Sequence, residues 1–198
     1  MQFSFKQISF VAPMVLVAAS ALASPVINST GISGASGSIT FSEVSLTPGA
    51  SITNQYTAFG SSFSPNLYFR PQDGRYATDY VGNFGSSGTR NPFVIAFTNI
   101  VDGAAFDFIT NPGTSLFEAL LNNAVVESFS ANTGLSVGTY YGFDGVRFDS
   151  IRVTAGGNNG LMEMDNLQFR NAAVPEPGTL ALAGLALAGL AYGHRRKA

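Results

Sequence analysis

The chain has 198 residues, ten basic against twelve acidic for a formal net charge of −2, and neither Cys nor Trp. Without cysteine it forms no disulfide and offers no thiolate, so its stability comes from a packed core and thiol redox chemistry is excluded. Lys6, His194 and Lys197 all lie in the terminal segments, which removes from the body every Ser-His-Asp or Cys-His nucleophile, lysine Schiff base and His/Cys zinc site.

In chain order, residues 1–23 are expected to be a signal peptide. Lys6 supplies the positive start, Ile8 to Ala19 the apolar stretch, and Ala21-Leu22-Ala23 a small-x-small cleavage site, so signal peptidase is expected to cut before Ser24. The apolar stretch carries Pro13 and is too short to span a bilayer.

Residues 24–173 are long enough for one domain with its own core. From Ser24 to Pro177 six arginines face twelve carboxylates, a net charge of −6. An acidic segment without lysine is a poor match for a phosphate backbone, so no nucleic-acid partner is expected.

The body reads as strands. Gly31 to Gly37 is a Gly/Ser opening; Ile39 and Phe41 then alternate with Thr40 and Ser42, and Val44 and Leu46 continue in the opposite phase, which predicts a bulge at Ser42-Glu43. Thr47-Pro48-Gly49 is a turn. Further strands are predicted over 54–59, 66–70, 93–98, 104–109, 115–121, 125–130, 145–154 and 161–169, with turns at Asp102-Gly103, Asn111-Pro112-Gly113 and Gly156-Gly157. Eight to ten short strands with regular turn signals predict an all-β sandwich, with Phe93, Ile95, Phe97, Phe106 and Phe108 in its core.

Two blocks, Ile39-Thr40-Phe41 with Thr53 to Tyr56, and Phe148 to Val153 with Met164 to Phe169, resemble the galactose-binding-like jelly rolls. The resemblance implies a jelly-roll sandwich in which one acidic residue from the first strand and one from the last share a structural calcium; the matching positions are Glu43 and Asp165. Hard oxygen ligands suit Ca²⁺, which takes about six to eight of them. The alternative is a pair of solvated carboxylates.

The longest irregular segment, 70–92, holds Asp73, Arg75, Tyr76, Asp79 and Tyr80, and a second polar-aromatic group is Tyr140, Tyr141 and Asp144. Aromatic faces stack on sugar rings while Asp and Arg bind hydroxyls, so the first set is a candidate polysaccharide site; the alternative is a set of turn residues with rim tyrosines. A glycosidase would need two carboxyl groups about 5–10 Å apart, one of them with a raised pKa.

The tail begins at Val174-Pro175-Glu176-Pro177, where two prolines forbid a helix. Residues 178–193 carry no charge, and His194-Arg195-Arg196-Lys197 follow. Sixteen helical residues span roughly 24 Å against a hydrocarbon core of about 30 Å, which predicts a short transmembrane helix. The basic tip, Arg195, Arg196 and Lys197, would keep the C-terminus cytoplasmic. Gly189 and Gly193 add a GxxxG pair, a spacing that arises easily in a Gly/Ala-rich run.

These three parts in order resemble the PEP-CTERM sorting signal of Gram-negative bacteria. The resemblance implies recognition and cleavage by a membrane-embedded exosortase near Pro-Glu-Pro, transient anchoring in the inner membrane, and a final place at the cell surface or outside, linked to exopolysaccharide. An unprocessed membrane anchor is the alternative. The expected protein is an exported, non-enzymatic envelope or matrix component of three parts: signal peptide 1–23, sandwich 24–173 and sorting signal 174–198. It either binds polysaccharide or serves structurally without a ligand.

Overall fold

The structure, a computed structural model, describes residues 24–83, 92–157, 161–173 and the pair 184–185. The expected signal helix with Ala21 and Ala23 lies outside the described residues. So do Val174 to Pro177, Arg195, Arg196, Lys197 and, that pair apart, the expected transmembrane helix. Among the described residues no helix is long and apolar enough to cross a membrane.

Among the described residues eleven strands form: β1 (Ser24–Asn28), β2 (Gly37–Ile39), β3 (Ser51–Ile52), β4 (Ser61–Phe63), β5 (Leu67–Arg70), β6 (Tyr80–Gly82), β7 (Phe93–Thr110), β8 (Gly113–Leu121), β9 (Ala124–Thr133), β10 (Tyr140–Thr154) and β11 (Met162–Asn171). They make one antiparallel sheet ordered β3-β5-β6-β11-β7-β10-β8-β9, with β1 added to β10, β2 to β11 and β4 to β7. The all-β class is as expected, and this sheet is consistent with a sandwich.

The two longest strands hold the fold together. The sequence predicts a turn at Asp102-Gly103, but 93–110 is one strand of 18 residues. Gly103 pairs with Asp144 on one side and Arg170 on the other, and Val101 with Phe148 and Asn171, so Asp102 is skipped in both registers. A bulge takes the place of the turn and bends the strand. Beside it, Gly142 lets β10 lie close on β7: a Cβ there would stand 2.0 Å from the Ala104 carbonyl oxygen.

One predicted strand is absent and another is cut short. Over 54–59 the chain makes a 3₁₀ turn, Thr57–Phe59, because both the amide and the hydroxyl of Thr57 bond to the Asn54 carbonyl, at 3.1 and 2.8 Å. Such local bonds compete with a ladder. The predicted bulge at Ser42-Glu43 is an earlier and fuller break: β2 ends at Ile39, and Phe41 adopts a left-handed φ of 62°. That turn points the Phe41 ring into the core at 5.2 Å from Tyr56, whose hydroxyl donates to the Phe41 carbonyl at 2.7 Å.

Phenylalanine fills the core in the absence of tryptophan. Phe117 stacks on Tyr141 at 5.2 Å and on Phe129 at 4.9 Å, while Phe106, Phe108, Phe143 and Phe148 join edge to face. Such pairs add about 0.5–1.5 kcal/mol each beyond the area they bury.

Candidate functional site

Strand alternation sends every second residue of β7 and β11 to the face away from this core. On β7 that set contains Ala105, Asp107 and Ile109; on β11 it contains Glu163 and Asp165. This face is also covered: Val26 and Ile32 pack on Ala105 with Tyr140 at one end, and Tyr76 and Tyr80 pack on Ile109 with Leu161 at the other. Three carboxylates are thereby buried, with exposures of 4% for Asp107, 3% for Glu163 and 0% for Asp165.

The cover over the second end is a strap, residues 70–80, pinned to β11 at three points. Arg75 Nη1 donates to Glu163 Oε2 at 2.6 Å, the Tyr76 hydroxyl to the Glu163 carbonyl at 3.5 Å, and the Thr78 hydroxyl to Asp165 Oδ2 at 2.6 Å. The strap is braced internally, with Asp73 accepting from the Arg75 amide and the Tyr80 hydroxyl and Asp79 accepting from the Gln72 amide. The structure thus brings Asp73, Arg75, Tyr76, Asp79 and Tyr80 together. The two tyrosines, however, lie ring to ring at 5.2 Å and are buried, so neither presents a face on which a sugar could stack.

Asp165 sits opposite Asp107 in the β11–β7 register, and a register shift follows it. The shift is made by Asn166 at φ 51°, a left-handed position that Asn tolerates better than most residues. Asn166 also donates its amide to Asp165 Oδ1 at 2.6 Å. Asp107 Oδ2 accepts from the Gly138 amide at 2.8 Å, whereas its buried Oδ1 has no hydrogen-bond partner among the described residues. Facing carboxylates in a dry setting disfavour the charged form. Burial, with the Asp107 and Glu43 charges adding to it, lifts Asp165 to about 6. Burial likewise lifts Asp107, and lifts Glu163 against the opposing pull of Arg75.

Glu43 stands in the loop after β2, where Oε1 accepts from the Thr40 amide and hydroxyl at 2.7 and 2.9 Å. It is near enough to raise Asp165 and Tyr56. Glu43 and Asp165, the two residues expected to share calcium, are thus within reach of each other's charge. Among the described residues no group of three or more His, Cys, Asp or Glu is placed to hold a metal. A calcium ion there would draw most of its six to eight oxygens from hydroxyls and carbonyls.

The second polar-aromatic group is divided by the sheet. Tyr141 lies in the core against Phe117, Tyr140 caps the Val26 cluster, and Asp144 bonds Arg170 at 2.5 Å. Asp107, Thr78, Glu163 and Asn166 were not singled out from the sequence. The alternations Phe106-Asp107-Phe108 and Met162-Glu163-Met164 show that the acids face away from the core, but only the strap shows that they are buried.

Compared with known families, residues 173–197 match the PEP-CTERM protein-sorting motif. That motif implies export, membrane-associated sorting in Gram-negative bacteria and processing by an exosortase. No curated protein matches the chain.

Proposed function

We propose that this chain, marked for export by its PEP-CTERM motif, is a non-enzymatic structural component of the cell surface or extracellular matrix, with a jelly-roll-like sandwich as its durable body. The sorting motif at 173–197 carries this reading. Two further features support it. The body between the targeting ends has no Lys, His or Cys, and its facing carboxylates, Asp107 and Asp165, are buried at 4% and 0% exposure where a sugar ring has no access. Such a pair suits hydrolysis only when it lines an open cleft.

Intact mass of the protein recovered from its native host tests the delivery step. A chain ending near Pro177 is expected; a chain running to Ala198 would leave a simple anchor in place of exosortase processing.

A second reading, polysaccharide binding, is favoured by the outer edge of the strap, where the Arg75 side chain is 40% exposed beside Asp73. Glycan-array binding by the host-derived protein separates the two. No reproducible binding is expected for the structural role, whereas reproducible binding that is weakened in Asp73→Asn, which keeps an acceptor oxygen for the Arg75 amide, would establish the second.

A further inference from the structure

At the opposite end of the sheet from the strap, one guanidinium serves two carboxylates. Arg170 on β11 donates from Nε to Asp102 Oδ1 at 2.6 Å and from Nη2 to Asp144 Oδ1 at 2.5 Å, while its Nη1 donates to the Ser33 carbonyl at 2.9 Å. The three side chains are about a third exposed (28% for Arg170, 31% for Asp102, 35% for Asp144), and among the described residues neither carboxylate has another cationic partner. The group therefore carries one uncompensated negative charge. In a partly buried setting such a charge is costly and attracts a cation.

The β1–β10 register sets Ser24 directly opposite Asp144. Both residues line one open cleft, whose rim also includes Asn28 and Ser33. Ser24 is the first residue after the expected Ala21-Leu22-Ala23 cleavage site, and an α-amino group is largely protonated at neutral pH. We propose that the α-ammonium group of Ser24, created by signal-peptide removal, binds the Asp144 carboxylate and completes a charge-neutral network of Ser24, Asp144, Arg170 and Asp102. The contact fastens β1, and with it the Val26 and Ile32 cover over Ala105, to the rest of the sheet. Maturation thus supplies the last cation of the fold. The inference rests on cleavage before Ser24, which is a separate expectation from the exosortase step.

The sign of its pH dependence is fixed. An amine that gains an anionic partner has a raised pKa in the folded state, so its contribution is present below the unfolded value, about 8, and is lost as pH rises through the folded value. The test uses the mature protein from the host, with its N-terminal residue identified by mass. Hydrogen exchange of the β1 amides is then compared between free and N-terminally acetylated protein, for the natural chain and for Asp144→Asn. At pH 7 acetylation is expected to speed β1 exchange about three- to tenfold, with no such effect in Asp144→Asn. In melting experiments the free protein should exceed the acetylated one at pH 7 and lose that advantage by pH 10. A chain beginning elsewhere than Ser24 removes the premise. A chain beginning at Ser24 that is indifferent to acetylation at both pH values overturns the proposal and leaves the cleavage intact.

Discussion

Replacing Arg75 by alanine is expected to destabilise the body by about 3 kcal/mol, the lower end of the range for breaking a buried ion pair. Glu163 is only 3% exposed, and Arg75 is the cation bonded to it, at 2.6 Å. The Arg75 side chain is itself 40% exposed, so water reaches the gap once it is truncated, which keeps the loss from the upper end. For a domain of this size about 3 kcal/mol corresponds to a fall in melting temperature of roughly 6–12 °C. The cause is an orphaned charge, and a second substitution tests that. In the Arg75→Ala background, Glu163→Gln removes the charge and should restore most of the loss, since a buried amide needs hydrogen bonds but no counterion. Urea unfolding of the two variants decides the matter. A loss below about 1 kcal/mol for Arg75→Ala, or no recovery in the double variant, would mean that the strap is not held through this pair.

The strap is also where the sequence was hardest to read. Residues 70–92 show no periodicity, and β6 (Tyr80–Gly82), among the described residues of this stretch, is held by pairing with both β5 and β11 rather than by any alternation of its own. By contrast, β11 follows from the alternation of Met162 and Met164 and then of Leu167 and Phe169, whereas β8, whose Leu116 to Leu121 could be helical by composition, is read as a strand from its shortness and its flanking turns. Where tertiary pairing competes with a local signal, the pairing prevails: Asp102-Gly103 has the chemistry of a turn but lies between two long neighbours, β10 and β11, and becomes a bulge. The reverse holds at Asn54 to Phe59, where among the described residues no strand pairs with the segment and the local bonds of Thr57 win.

The candidate site was legible to the same degree. Glu43 and Asp165 are the positions that the jelly-roll resemblance matches, and each also lies beside a slip in the alternation, where the structure has left-handed residues, Phe41 and Asn166. The sequence could not show that Tyr76 and Tyr80 are buried rather than displayed. An aromatic in an irregular segment reads alike whether it covers a second face of the sheet or waits for a ligand, and only the position of Ile109 and Leu161 beneath it distinguishes the two.

The facing pair Asp107 and Asp165 should give the protein an unusual pH profile, with greatest stability near pH 4–5 and a decline toward neutrality. Burial lifts Asp165 from 3.8 to about 6, so between those values the native state holds more protons than the unfolded chain, and stability falls as pH rises. A shift of that size corresponds to about 3 kcal/mol lost by pH 7. Asp107, raised by its burial, acts in the same direction. Below about pH 4 the sign reverses: Asp73 is held low chiefly by the Arg75 amide and Glu118 by the Arg152 guanidinium, and protonating them removes stabilising bonds. Thermal melts from pH 3.5 to 7.5 check the profile, and a melting temperature that climbs from pH 4.5 to 7 would contradict it. Asp107→Asn removes the charge facing Asp165 and should flatten the decline. Calcium supplies the remaining control: if Glu43 and Asp165 share the ion, millimolar Ca²⁺ at pH 7.5 takes the place of the proton and restores the acid-side stability in the natural chain but not in Asp165→Asn. If calcium changes neither protein, a proton alone satisfies the pair.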